Sequence, residues 1–250
     1  MLFRSLILFL LTLTLACALC AQAQPWPEEN HYKVYNIDPP YTYTGDIQLF
    51  DQFGGYNVNH LVLEKFANPV EKNGEPIIFW DAHQTWWHVD LVGEGWNILV
   101  DNQFGEQIWH VEDPQYLVLP ARKYEPGPPL QNNHYLAYEA SGEPVQWPVN
   151  LVDQFGVIDA VAMEPVYFLN PVEKVHDGVL YPILDSEAHL ACYRIEPPMA
   201  YDIQVTAFDQ FGTWDFLVLD HDCLCVPSWK RQVVTTEART WSDVKGLYHD

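Results

Sequence analysis

Four histidines, four acid or amide residues and four lysines recur in this chain at nearly constant spacing, and each of these residue types can do chemistry. His31, His83, His134 and His189 stand 19 or 20 residues before the tetrapeptides Asp51-Gln52-Phe53-Gly54, Asn102-Gln103-Phe104-Gly105, Asp153-Gln154-Phe155-Gly156 and Asp209-Gln210-Phe211-Gly212. Each tetrapeptide is followed 21 residues later by the lysine of a Pro-x-x-Lys: Lys72, Lys123, Lys174 and Lys230. Histidines gathered about a symmetry axis could hold a metal ion, and the turn aspartates could serve calcium. The lysines could meet an anionic ligand.

Each of these readings has a structural counterpart that fits the spacing better. No second ligand accompanies each histidine at short range, so the histidines are expected to open strands, with the ring bonding a neighbouring carbonyl. The aspartates lack the closely spaced oxygen ligands of a calcium loop. Each lysine is expected to have a structural partner, such as the Asp or Asn of a turn. No Gly-x-Ser-x-Gly, His-Glu-x-x-His or phosphate-cradling glycine loop is present. The reading therefore assigns no catalytic residue, no metal and no cofactor.

A self-similar period near 50 residues fixes the architecture before local propensity does. Ile47 and Leu49, Ile98 and Val100, Val149 and Leu151, and Val205 and Ala207 precede the four tetrapeptides in period two, with Gln48, Asn150 and Thr206 between them in three copies. That alternation is the mark of a half-buried strand. The tetrapeptide then reads as a hairpin turn. Asp51, Asn102, Asp153 and Asp209 accept backbone hydrogen bonds, Gly54, Gly105, Gly156 and Gly212 supply conformational freedom, and phenylalanine folds back over the core edge. No sustained 3.6-residue apolar stripe appears, so the chain is predicted to be all-β.

Units one and three share Asn-Pro-Val-Glu-Lys (Asn68 to Lys72, Asn170 to Lys174), which units two and four lack, so the larger repeat is a pair of units. With the proline-rich stretch 124–133 read as a linker, two tandem β-sandwich or barrel-like domains are expected at 31–123 and 134–230. They are flanked by an N-terminal segment at 24–30 and a tail at 231–250. The alternative architecture is a single four-bladed propeller.

Residues 1–23 read as a secretory signal peptide: Arg4, an apolar run from Leu6 to Leu19, and Ala21-Gln22-Ala23. The expected location is outside the cytoplasm, in a periplasm, at a cell surface or free. A formal charge of −22 disfavours nucleic acid, whose binding depends on Lys and Arg neutralising phosphates. Cys192 and Cys225 occur together in unit four, where the other units pair Val34 with Ala67, Trp86 with Val118 and Ala137 with Leu169. A Cys192–Cys225 disulfide is therefore predicted. Cys223, two residues from Cys225 on the same strand, is expected to be left over and to face the opposite side.

His189-Leu190-Ala191-Cys192-Tyr193-Arg194-Ile195, Asp209 to Gly212 and Leu224-Cys225-Val226-Pro227-Ser228-Trp229-Lys230 form a pattern, His-x-x-x-Tyr-x-Ile, Asp-Gln-Phe-Gly and Leu-Cys-x-Pro-x-x-Lys. It resembles an uncharacterised domain of unknown function found in secreted bacterial and archaeal proteins. The resemblance implies an extracytoplasmic place and no established activity. Units one to three lack the paired cysteines. The function expected is a noncatalytic structural or binding module with an extracellular protein or glycan partner. Among Trp86, Trp87, Trp96, Trp109, Trp214 and Trp229, most are expected in the core, and Trp86, Trp87, Trp109 and Trp214 are the candidates for ligand stacking. The alternative is a secreted hydrolase using a carboxylate pair.

Overall fold

The computed structural model describes residues 27–128 and 130–232, so the expected signal peptide at 1–23 and the tail from residue 233 lie outside the described residues. Twelve strands follow in order: β1 (His31–Phe50), β2 (Gly55–Lys72), β3 (His83–His88), β4 (Trp96–Asn102), β5 (Gly105–Lys123), β6 (His134–Ser141), β7 (Trp147–Asp153), β8 (Gly156–His176), β9 (Val179–Tyr181), β10 (His189–Glu196), β11 (Ala200–Asp209) and β12 (Gly212–Gln232). Among the described residues there is no helix, as the period-two pattern requires.

Eight of these strands pair in a closed antiparallel ring, β1-β2-β3-β5-β6-β8-β10-β12 and back to β1. The two expected tandem domains therefore do not form separate sheets. β5 pairs with β6 beside the linker, and β12 returns to β1, so both halves belong to one ring. Nor are there four blades, because each strand of the ring is bonded to the next unit as well as to its own. The two-unit repeat does persist in detail. The Asn30 carboxamide accepts from the Ile78 and Phe79 amides at 2.8 and 3.1 Å, and Asn133 does the same for Leu184 and Asp185 at 2.8 and 3.2 Å. Units two and four have Ala82 and Ala188 at this place.

The ring has two faces and the strands alternate between them. Tyr32, Val34, Ala67, Trp86, Val118, Tyr135, Ala137, Leu169, Leu190, Cys192, Cys223 and Cys225 form one buried cluster. Tyr32 on β1 and Tyr135 on β6, half the ring apart, both donate to the Glu29 carboxylate at 3.1 Å, so this cluster is the interior. The larger cluster lies on the other face. It joins ring residues such as Tyr35, Phe66, Trp87 and Tyr138 to the apolar positions of the hairpins, among them Ile47, Leu49, Ile98, Val100, Val149 and Leu151.

Cys192 and Cys225 are bonded, and they are directly opposite each other in the register. Val34 with Ala67, Trp86 with Val118, and Ala137 with Leu169 are the same cross-strand pair in the other units. Cys223 does not face away. Residues two apart on a strand share a face, and the Cys192, Cys223 and Cys225 sulfurs lie within 4.8 Å of one another in the interior. Burial pushes the Cys223 thiol well up, and two of the three sulfurs are joined, so the group as it stands is not a set of thiolate ligands.

Glu29 is almost fully buried, and burial raises its carboxyl above the ordinary range. A raised folded-state value means that the stability contributed by its protonated form is present below the unfolded value and is lost as pH rises through the folded one. Glu29→Gln keeps an acceptor for one tyrosine and removes the buried charge. Its urea midpoint should gain on the wild type between pH 5 and pH 8; an equal loss at both pH values would contradict this assignment.

Candidate functional site

The tetrapeptides are hairpin turns, with Asp51 N donating to Gly54 O at 2.9 Å and the first and fourth residues paired in the other three. Gly105 and Gly156 take φ of 108° and 131°, where a side chain would be strained. What the turns reach is not in their own unit. The hairpin of each unit pairs with the end of the long strand two units away: β1 with β8, β4 with β12, β7 with β2 and β11 with β5.

At that site the turn side chain meets the aromatic residue that follows the histidine by four. Tyr138 and Asn170 donate to Asp51 at 2.8 and 2.9 Å. Asp153 accepts from Tyr35, from Asn68 at 3.2 Å and from Lys33 at 3.3 Å. Asp209 accepts from Trp87 at 3.0 Å and Thr85 at 2.7 Å. Asn102 reverses the polarity and donates to the Tyr193 hydroxyl at 3.0 Å. The turn phenylalanines follow the same rule edge to face: Phe53 on Tyr138, Phe104 on Tyr193, Phe155 on Tyr35 and Phe211 on Trp87, at 5.0 to 5.2 Å.

The lysines do not answer the turn acids as expected. Each stands over the turn phenylalanine of the next unit: Lys72 over Phe104 at 5.8 Å, Lys123 over Phe155 at 4.4 Å, Lys174 over Phe211 at 5.3 Å and Lys230 over Phe53 at 4.4 Å. Asn68 and Asn170, shared by units one and three, accept from Lys123 at 3.3 Å and Lys230 at 2.7 Å while donating to Asp153 and Asp51. Lys72 bonds Glu75 instead, at 2.7 Å. The Lys174 ammonium is buried without a hydrogen-bond partner among the described residues, under the Tyr181 ring at 4.2 Å, and burial lowers it to about 7.

The histidines stand beside these lysines, three of them against aromatic rings, and His189 also has the expected backbone bond, to Leu169. His83 lies on Phe66 and His189 on Phe168, at 5.6 and 5.4 Å. Burial holds His83, His134 and His189 at about 3, hence neutral. His31 is the exception, bonded to Glu75 at 2.8 Å. No group of histidines positioned to share a metal occurs among the described residues.

Two clefts flank the linker. One, of about 380 Å³, is lined by Leu130, His134, Tyr181, Asp209 and Gln210. The other, of about 500 Å³, is lined by Asp81, His83, Arg122, Lys123, Tyr124 and Gln154. The tryptophans proposed for ligand stacking are elsewhere. Trp86, Trp87 and Trp109 have no exposed surface, because they fall on the two core faces. Trp214 is half-buried against Tyr41 and Trp87, with its indole nitrogen bonded to Asp209 at 3.0 Å. Among the described residues the exposed aromatics are Phe50, Phe79, Trp80, Tyr124 and Trp147. Phe79 and Trp80 lie in a connector where no periodicity marks them.

Asp51→Ala leaves one Asn170 donor unpaired and the Tyr138 hydroxyl with only Tyr56 at 3.5 Å, and should cost about 2–5 kcal/mol in urea unfolding. An effect within 0.5 kcal/mol, the range of a surface substitution, would contradict the docking role. For Lys174 the folded-state value is depressed, so the folded protein resists the proton and loses stability as pH falls from about 10 towards about 7. Lys174→Met should raise the unfolding midpoint at pH 7 and flatten that slope.

A family model described as a repeat of unknown function, DUF7450, matches residues 83–227, from the histidine of unit two to the proline of unit four. No curated protein and no solved structure matches the chain. Unit one lies outside the matched span but carries the same histidine, tetrapeptide and lysine, and it closes the same ring. The chain belongs to the family of this repeat of unknown function.

Proposed function

We propose that this protein is a noncatalytic binding module working outside the cytoplasm, and that it takes a protein or glycan partner on the face made by residues 78–81 and the start of the linker. The observation that carries the reading is the connector Ile78-Phe79-Trp80, exposed at 47, 48 and 59 % although Asn30 fixes its backbone with three hydrogen bonds. A large apolar surface held rigid in water is the composition of a binding surface. Tyr124, 55 % exposed, adds an aromatic from the linker. The twofold mate of this connector presents Leu184 and Asp185 and no indole.

The groups repeated four times support the reading by being occupied. The turn side chains and three of the four lysines are bonded within the protein. The hydrolase alternative needs two carboxylates facing one another across a cleft. In the smaller cleft the acid is Asp209, which also accepts from the Phe211 and Gly212 amides and from Trp214. The larger one is lined by two acids, Asp81 and Glu125, and Asp81 lies 3.6 Å from Arg122.

The test is a screen of the purified protein against immobilised polysaccharides and cell-surface proteins, beside Trp80→Ala. The wild type should retain a partner, and the variant should bind it at least tenfold more weakly at an unchanged thermal midpoint. Release of reducing sugar or peptide during the screen would replace this reading with the hydrolase.

A further inference from the structure

The first unit shows what a histidine and lysine of this repeat hold when a carboxylate is within reach. Glu75, three residues after Lys72, bridges the pair: one oxygen lies 2.8 Å from His31 Nε2 and the other 2.7 Å from Lys72 Nζ. The bond to His31 and the charge of Lys72 hold the Glu75 carboxyl at about 2. This is a two-point carboxylate receptor with its ligand supplied in cis.

The second unit has the same histidine and lysine with no carboxylate hydrogen-bonded to either among the described residues, although Asp81 and Glu125 line the same cleft. Three residues after Lys123 stands Pro126, which offers no acid. In the third unit the Tyr181 ring covers both partners, 4.2 Å from Lys174 Nζ and 5.4 Å from the His134 ring. Around His83 the chain instead opens into the cleft of about 500 Å³ that His83 and Lys123 both line. His83 is 3 % exposed, and its Nδ1, like that of His31, has no hydrogen-bond partner among the described residues. Among the described residues Lys123 makes one hydrogen bond, to Asn68 at 3.3 Å, and otherwise faces the Phe155 and Tyr124 rings at 4.4 and 5.1 Å, so two of its three donors have no oxygen or nitrogen partner there. Asp153, whose charge also reaches Lys123, is held by Tyr35, Asn68 and Lys33. Arg122, 3.6 Å from Asp81 and bonded to the Pro128 carbonyl at 3.0 Å, adds a second cation, and Gln154 an amide.

We infer that the cleft lined by His83, Lys123 and Arg122 is a binding site for a carboxylate, bridged between His83 and Lys123 as Glu75 is bridged in the first unit. The ligand is a single carboxylate rather than a polyanion. A chain with 34 acids against 12 Lys and Arg repels extended negative charge, and the notch presents only a few donors. A carboxylate here leaves the rest of its molecule beside Tyr124 and the 78–81 connector, so this inference deepens the binding reading. It can fail alone, since the apolar connector could hold a partner that makes no contact with His83.

The experiment is a titration with acetate at constant ionic strength, read from the histidine ring C–H signals by NMR, with acetamide as the neutral counterpart. His83 should shift and saturate with acetate at one site, remain still with acetamide, and lose its response in Lys123→Met. A His83 shift that is linear in acetate, equal with acetamide, or intact in Lys123→Met would overturn the site. Glu75→Gln supplies a control that leaves the second unit untouched. With the internal carboxylate removed, His31 should acquire its own saturable response to acetate, and a folded Glu75→Gln protein without one would also overturn the inference. An Asp-containing peptide and its Asn counterpart then separate the two sources of a carboxylate. Tenfold tighter binding of the Asp peptide than of acetate assigns the site to a protein segment, and equal binding assigns it to a free small acid. A partner found in the screen that binds wild type and Lys123→Met alike would leave the module standing and remove this site.

Discussion

The fold depends on a reciprocal docking: the turn of each unit is satisfied by the unit opposite. A carboxylate taken out of water requires donors to replace its hydration. Asp51 finds them on Tyr138 and Asn170, Asp153 on Tyr35, Asn68 and Lys33, and Asp209 on Thr85 and Trp87. None of these donors belongs to the hairpin that carries the acid. A single unit would leave its turn acid with only the donors of its own hairpin, and its ring aromatic without the turn that docks on it, and a pair of adjacent units would do no better, since the partner is two units away. Four units in a closed ring satisfy all of them together.

The same geometry explains why fourfold repetition settles into twofold symmetry. Asn68 and Asn170 each link a turn acid to a lysine, which uses both ends of the carboxamide. Leu119 and Val226 hold the matching places in units two and four. Lys72 and Lys174 therefore lack that acceptor. One takes Glu75, and the other stays under Tyr181 with no hydrogen bond among the described residues. The differences between copies thus fall where a histidine and a lysine face the outer clefts, and there the repeat becomes a receptor.

Much of the framework was legible in single residues. Period-two alternation around each tetrapeptide marked the hairpins, and the joint appearance of Cys192 and Cys225 marked a touching pair that the register places directly opposite. The candidate surface was far less legible. Trp86, Trp87 and Trp109 carried the residue type of a ligand platform, but burial follows the face of the strand and not the type. Trp80 and Tyr124 gave no periodic signal because connectors have none, and Arg122 lies at the end of strand β5. Glu75 was invisible as a ligand because its role depends on His31, 44 positions earlier.

By itself the sequence determined that the chain is built from four β-units with hairpin turns, that they repeat in pairs, and which cysteines pair. Each of these follows from local spacing and from the alternation of faces along a strand. The tertiary structure decided which units are neighbours, that the ring closes across the proline-rich linker, and that each turn docks two units away. Alternation tells a strand which side is buried and leaves open which edge it joins. That choice is made by long-range pairing of buried donors and acceptors, whose partners lie more than 80 residues apart in this chain.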